Sequence, residues 1–326
     1  MIANTAATVL IPAQNALYQA NYATGERGRL FSRVSQVAAV VTVAVSAALG
    51  WLYDGDESFF RVAYPVAGLA AAAGSLTWYR TRWRRRATTD DAVPAAPAPV
   101  GALPRPVVPA AMARVGHGLL GPFRAALRLF AIDRDFLAFE ASFMLYGLGF
   151  MMLQPVLPLF LIDDLGVDYS QASRMKGVLF YATMISLLPL AGRLNDRLGS
   201  LRVAASSFAL MSAFPLLLLG VVPVLAFGRG SGIALVYVAY AVFGAAMAGI
   251  NVSWTLGPLA LAGRRSAERY MGTHVALVGV RGLIGFPLGL VLLRLAGSSA
   301  VFAAALAFEI AAATIMARLA RRRPSR

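Results

Sequence analysis

Long runs of uncharged residues constrain this chain more than any other feature, because about 20 apolar residues can cross a bilayer as a helix. Six runs carry no charged residue, and two more are each interrupted once, by Arg281 or by Glu309. The eight runs are Val34–Tyr53, Val62–Tyr79, Ala141–Ile162, Gly177–Gly192, Val203–Gly228, Gly230–Gly263, Tyr270–Leu293 and Ala300–Ala317. They predict an all-α integral membrane protein with about eight or nine transmembrane helices.

The ninth candidate is the uncharged N-terminal segment Met1–Gly25, in which Asn, Gln and Thr dilute the apolar residues. A signal peptide would start with a basic region and a compact apolar core, and this segment has neither. Two interpretations stay open. The segment is either an N-terminal tail or a polar membrane helix that faces a cavity.

The distribution of charge predicts how the helices are oriented. The chain carries 30 Lys and Arg against 15 Asp and Glu, a formal net charge of +15. If the eight runs alternate across the membrane, 24 of the 30 cations fall on one side, which predicts that side to be cytoplasmic. We therefore expect a multi-pass protein of the inner (plasma) membrane with a cytoplasmic C-terminus.

The same basic residues argue against a nucleic-acid partner, since no aromatic platform is interleaved with them. A hydrophobic content of 59% excludes a soluble globular enzyme, and membrane lipid is the expected partner. There is no phosphate-binding loop, no zinc-protease motif and no serine-nucleophile motif. We therefore expect no enzymatic activity, no cofactor and no metal.

A segment rich in Arg, Pro and Ala divides the chain. The composition of residues 81–135 predicts a cytoplasmic linker. Within it, the spacing of apolar residues over Gly121–Asp133 predicts a short amphipathic helix, or else an extension of the next span. The expected organisation is three membrane helices in 1–80, this linker, six helices in 136–318 and a basic tail at 319–326.

One short loop carries a family resemblance. It reads Gly192-Arg193-Leu194-Asn195-Asp196-Arg197-Leu198-Gly199-Ser200-Leu201-Arg202 and lies between two predicted spans. It resembles the loop signature of the major facilitator superfamily (MFS), Gly-x-Leu-x-Asp-Arg-x-Gly-Arg-Arg/Lys. The residues that match are Gly192, Leu194, Asp196, Arg197 and Gly199. Ser200 and Leu201 depart from it, where basic residues are usual.

The resemblance implies an MFS-type helical bundle, because in that family the loop follows the second helix of each six-helix half. Counted from the linker, 136–318 then corresponds to helices seven to twelve. Residues 1–80 would correspond to helices four to six, so the chain resembles a transporter truncated at its N-terminus. A weak internal repeat between Asn4–Gly28 and Asn251–Gly272 agrees with this correspondence.

The resemblance implies a secondary active transporter that moves a small solute by alternating access, with a proton as a candidate coupling ion. The alternative is a truncated or degenerate homologue without independent transport. Such a protein would act as a half-transporter or interaction partner, completed by a missing N-terminal half or by homo-oligomerisation. The sequence identifies no substrate.

Ionisable residues within spans are costly and therefore mark candidate sites. Arg281 and Glu309 are predicted at similar depths, either as an intramembrane ion pair or with Arg281 facing a cavity and Glu309 protonated. By resemblance, the substrate cavity offers Arg281, Tyr146, Gln154, Asn251, Trp254 and His274. The conformational-control loop comprises Gly192, Asp196, Arg197 and Gly199, and its expected partner is the helix that begins near Val34.

Overall fold

A computed structural model describes residues 24–79, 121–262 and 267–323, and within these ranges the chain is helical and contains no strand. We number its helices in chain order. They are α1 Thr24–Gly55, α2 Phe60–Tyr79, α3 Gly121–Ile132, α4 Arg134–Leu159, α5 Tyr169–Leu198, α6 Ser200–Val224, α7 Arg229–Ala262 and α8 Ala267–Arg322. A π-helical turn, Phe160–Asp164, continues α4.

Five of the described helices are long and apolar enough to cross a membrane. They are Arg134–Asp164, Tyr169–Leu198, Ser200–Phe227, Arg229–Ala262 and Arg269–Arg322. Together they contain the six spans predicted after the linker, the last two of them within α8. The two earlier predicted spans lie within α1 and α2, whereas most of Met1–Gly25 lies outside the described residues. The prediction of an all-α membrane protein is confirmed.

The last helix, α8, consists of two arms. Gly297 interrupts it with φ 79° and ψ 177°, a conformation that glycine adopts readily because it has no Cβ. The first arm comprises residues 267–296 and the second arm residues 298–322. Each arm is longer than the roughly 20 residues that a membrane span needs.

Contacts with α4 show that the two arms run in opposite directions. The first-arm contacts are Glu140–His274 and Phe143–Arg281, and the second-arm contacts are Ser142–Ala312 and Phe160–Phe302. Residue numbers rise together along α4 and the first arm, so these helices are parallel. They change in opposite senses along the second arm, which is antiparallel to α4. The α8 helix therefore consists of two antiparallel arms, each long enough to be one membrane span.

Aromatic residues form the packed centre of the bundle. Tyr146 of α4 stacks on Phe208 of α6 with 4.8 Å between ring centroids, and Phe214 of α6 stacks on Phe243 of α7 at 4.6 Å. Offset and edge-on ring pairs add to the energy of burial. This core fixes α4, α6 and α7 relative to one another and thereby positions the polar side chains of α4.

The junction between α3 and α4 is a break in the helix. Asp133 has an extended backbone, with φ −124° and ψ 94°, and its side chain accepts a hydrogen bond from the Phe136 amide at 3.0 Å. A capping carboxylate of this kind satisfies a free amide in the first turn of a helix. The helix predicted over Gly121–Asp133 is therefore separate from the following span rather than an extension of it.

Helix α1 packs against α5 through small residues. A Cβ at Gly50 would lie 2.6 Å from the Ser173 Cβ, and a Cβ at Gly177 would overlap the Ser46 side chain. The Ser173 hydroxyl donates a hydrogen bond to the Ser46 carbonyl. Positions rise along α1 as they fall along α5, so the helices are antiparallel. The segment before the linker is thus in direct contact with the bundle that follows it.

Candidate functional site

Arg281 lies in the middle of the first arm and is only 4% exposed. Its Nη1 donates a hydrogen bond to the Phe143 carbonyl of α4 at 2.8 Å, while its Nε has no partner among the described residues. Gly147 makes room for this side chain, because a Cβ at that position would overlap the Arg281 Cδ. The guanidinium is therefore held at α4 with part of its hydrogen-bonding capacity unused.

Glu309 lies on the second arm and is fully buried. Neither carboxyl oxygen has a hydrogen-bond partner in the described part of the chain. Its Oε1 would lie 3.3 Å from a Cβ at Gly149 of α4. An isolated carboxylate in an apolar interior is very unfavourable, so a buried acid without a partner favours the neutral, protonated form.

Arg281 and Glu309 pack at neighbouring positions along α4, and in the described structure they form no direct ion pair. Arg281 packs at Gly147 and Glu309 at Gly149. Two residues along an α-helix correspond to a rise of about 3 Å and a rotation of about 200°. The two side chains therefore approach α4 from opposite faces, and the body of that helix separates them.

A second buried polar contact joins α4 to the first arm. His274 Nδ1 lies 2.9 and 3.0 Å from the two carboxyl oxygens of Glu140, and His274 and Glu140 are 0% and 3% exposed. The sequence singled out His274 but not Glu140, which directly precedes the uncharged run Ala141–Ile162. The helix predicted from residue 136 already contains Glu140, but only charges that interrupt an uncharged run mark candidate sites in the sequence.

The two aromatic cavity candidates, Trp254 and Tyr146, lie in different places. The Trp254 ring of α7 lies 5.2 Å from the His274 ring, and the Phe143 ring meets the same imidazole edge-on at 5.0 Å. Tyr146 is 5% exposed and its hydroxyl donates to the Met247 sulfur at 3.3 Å. The structure thus brings Trp254 to His274 but packs Tyr146 into the core.

The remaining cavity candidates are Asn251 and Gln154. Asn251 is exposed on α7, where its side-chain amide donates to the Met247 carbonyl at 2.8 Å and to the Met184 sulfur at 3.5 Å. Gln154 is half-buried on α4. Both remain candidates for a surface that faces solvent or substrate.

The conformational-control loop is tighter than the sequence suggested. Helix α5 continues through Gly192 to Leu198, so Gly192 is helical, and the turn is made by Gly199 with φ 82°. Asp196 and Arg197 are exposed in the last turn of α5. Asp196 does not cap α6, which has no side-chain cap. The expected partner helix is α1, which begins at Thr24 and not near Val34. The side chain of Val34 lies outside the described residues.

The site therefore contains ionisable side chains of three kinds within the membrane-spanning helices. Arg281 supplies a permanent positive charge, Glu309 supplies a carboxyl that can bind a proton, and His274 supplies an imidazole held by Glu140. Ionisable residues in transmembrane segments mark ion pathways and proton relays. None of these groups is arranged as a nucleophile with an adjacent base.

Comparison with known proteins agrees with this architecture. No curated protein and no solved structure matches the chain. A family model described as Major Facilitator Superfamily matches residues 139–326, more than half of the 326 residues, and so covers nearly all of α4 and the helices that follow. Members of that family are transporters of the membrane. The chain belongs to the Major Facilitator Superfamily.

Proposed function

We propose that this protein is a secondary active transporter that moves a small anionic solute across the inner (plasma) membrane by alternating access, coupled to protons. The observation that carries the proposal is the pair of buried ionisable groups flanking α4. Arg281 has one hydrogen bond, to a carbonyl, and Glu309 has none within the described ranges. Groups this costly to bury are retained in membrane helices chiefly where they bind ions or substrates.

In this proposal Arg281 binds the substrate. A guanidinium offers several N–H donors in a fixed plane and pairs with carboxylate or phosphate groups through two parallel hydrogen bonds. Its free Nε can complete such a pair when α4 and the first arm separate. Asn251, Trp254, Tyr146 and Gln154 are the further cavity candidates, and Glu309 is the candidate proton site.

Asp196 is proposed to control the conformational equilibrium. It stands at the end of α5, which lies antiparallel to α1, and the start of α1 carries Arg27, Arg29 and Arg33. Opposite charges at adjacent helix ends would hold one conformation together on the cytoplasmic side. The excess of cations in the loops on that side supports a cytoplasmic C-terminus.

Alternating access can be tested before any substrate is known, because the chain has no cysteine. A single cysteine at the exposed position Asn251 should react with a membrane-impermeant maleimide, and Asp196→Asn should change its labelling rate by shifting the balance of states. A matched cysteine at Phe227, which is 84% exposed in the turn between α6 and α7, should label equally in both backgrounds. A labelling rate of Asn251→Cys that is the same with and without Asp196→Asn would contradict the proposal.

Transport itself is tested in proteoliposomes with a panel of radiolabelled carboxylates. We expect an inward proton gradient to drive uptake of at least one of them, and Arg281→Gln to abolish that uptake. Uptake that proceeds equally with and without the gradient would refute proton coupling. Uptake that survives Arg281→Gln would refute the assigned role of this residue.

A further inference from the structure

The Glu140–His274 contact is the buried titratable pair that the proposed mechanism leaves unused. It joins two parallel helices, α4 and the first arm. The imidazole is fully buried, and its Nε2 has no hydrogen-bond partner among the described residues. A buried imidazole nitrogen without a partner is unusual, because most buried polar groups are satisfied.

The histidine tautomer follows from the charge of Glu140. If Glu140 is ionised, it can only accept hydrogen bonds, so the Nδ1 that lies 2.9 and 3.0 Å from its oxygens carries the proton. Neutral His274 therefore has its lone pair on Nε2. A proton arriving from water adds to that lone pair, and the Nδ1–H bond stays intact. The product is an imidazolium with Glu140 as its counter-ion.

Glu140 also acts on Arg281. Glu140 and Phe143 are one helical turn apart on α4, and the Phe143 carbonyl accepts the hydrogen bond from Arg281. His274 and Arg281 are two turns apart on the first arm, on the same face. A carboxylate one helical turn from the carbonyl that holds Arg281 attracts the guanidinium by Coulomb's law. The Glu140 carboxylate is thus close to two basic groups, the His274 imidazole and the Arg281 guanidinium.

Few charged groups lie near His274 among the described residues. On α4 they are Glu140 and, nearer the helix start, Asp133, which accepts a hydrogen bond from the Tyr270 hydroxyl of the arm at 2.7 Å. Arg281 is the cation on the arm itself, and from α7 the neighbour is the uncharged indole of Trp254. Among these groups, Glu140 is the carboxylate in contact with the imidazole, and it cannot fully balance an imidazolium and a guanidinium together.

We propose that His274 is a proton-binding site, that Glu140 is its positioning residue, and that its protonation controls the charge available at Arg281. When His274 is neutral, Glu140 balances Arg281. When His274 is protonated, Glu140 balances the imidazolium, and Arg281 is left to attract an anion. Proton and anion would then bind cooperatively, which makes the transporter a proton–anion symporter; this consequence rests on the proposed transport function.

The test is a pH titration of His274 by NMR of 15N-histidine-labelled full-length protein in detergent micelles. Only His117 and His274 are present, so His117→Gln leaves a single imidazole signal. Histidine is the side chain that ordinarily changes charge between about pH 5 and 8. We expect Glu140→Gln to shift the midpoint of the Nε2 signal to lower pH and Arg281→Gln to shift it to higher pH.

Two further variants complete the titration. Glu140→Asp keeps the counter-ion and should retain most of the wild-type midpoint, which separates loss of charge from misfolding. Asp54→Asn lies in the contact between α1 and the start of α5, away from His274, and should leave the midpoint in place. An imidazole that does not titrate, or midpoints that move the same way in Glu140→Gln and Arg281→Gln, would overturn the inference. The titration needs no transport, so its outcome is independent of the uptake and labelling experiments.

Discussion

At the scale of single residues, the glycines of α4 decide where charged groups can lie. Gly147 admits the Arg281 side chain on one face, and Gly149 admits Glu309 on the other. Side chains larger than hydrogen at these positions would push the arms away from α4. The absence of side chains at two points of one helix is thus what allows two ionisable residues to be buried at one depth.

The role of Gly147 predicts a specific loss of stability. Gly147→Ala should destabilise the protein by about 1–3 kcal/mol, because the added Cβ overlaps the Arg281 side chain in a packed interior. Gly279→Ala is the matched control. It is a helical glycine with no neighbour within 4 Å of an added Cβ, and it should be neutral or stabilising by up to about 1 kcal/mol. Thermal unfolding in detergent measures both, and equal effects would contradict the packing argument.

Replacing the buried Glu309 should have little effect on the free energy of unfolding, in contrast to Gly147→Ala. Glu309→Gln should change the unfolding free energy by less than about 1 kcal/mol, because a protonated carboxyl and an amide are close in shape and no hydrogen bond is lost. For comparison, Ser142→Ala removes a buried 2.7 Å hydrogen bond to Ala312 and should cost about 0.5–1.5 kcal/mol. A loss of about 3 kcal/mol or more in Glu309→Gln would indicate a broken ion pair instead.

At the scale of helices, the contact between α1 and α5 joins the two parts of the chain. The Asp54 carboxylate accepts hydrogen bonds from the amides of Tyr169 and Ser170, with N–O distances of 2.6 to 3.2 Å. Asp168 caps the next amide, that of Gln171. Two carboxylates therefore meet the positive end of the α5 dipole and satisfy three of its free amides.

This contact should depend on pH with a defined sign. Hydrogen bonding from the Ser170 side chain, and then from the Ser170 and Tyr169 amides, holds the pKa of Asp54 below its usual 3.8. A lowered carboxyl pKa stabilises the folded state above the usual value, and this contribution is lost as the pH falls through the lowered one. Asp54→Ala should cost about 0.5–1 kcal/mol near pH 7, at the low end for an exposed cap.

Thermal unfolding of wild type and Asp54→Ala between pH 7 and pH 3 measures the effect. The difference between the two proteins should be constant near neutral pH and shrink towards pH 3. A difference that is unchanged at pH 3, or that grows, would show that the Asp54 carboxylate contributes nothing as a charged group.

At the scale of the whole molecule, uncharged runs and charge placement predicted the helices well, because hydrocarbon excludes charge over a fixed length. They could not predict which face of a neighbouring helix each side chain contacts, because that depends on the rotation of a helix about its axis. Depth alone suggested that Arg281 pairs with Glu309, and only the faces of α4 at Gly147 and Gly149 show why it does not. Glu140 was missed because it directly precedes the uncharged run Ala141–Ile162, and only charges that interrupt a run mark candidate sites in the sequence.

The orientation of the whole molecule gives the last prediction. Cations are excluded from outer loops because positively charged segments are retained in the cytoplasm during insertion. Phe227 is 84% exposed in a turn predicted to lie outside, and Arg321 is exposed near the C-terminus, predicted inside. In intact cells, a membrane-impermeant maleimide should label Phe227→Cys at once and Arg321→Cys only after permeabilisation. The reverse pattern would invert the topology and place Asp54 and the α5 cap in the cytoplasm.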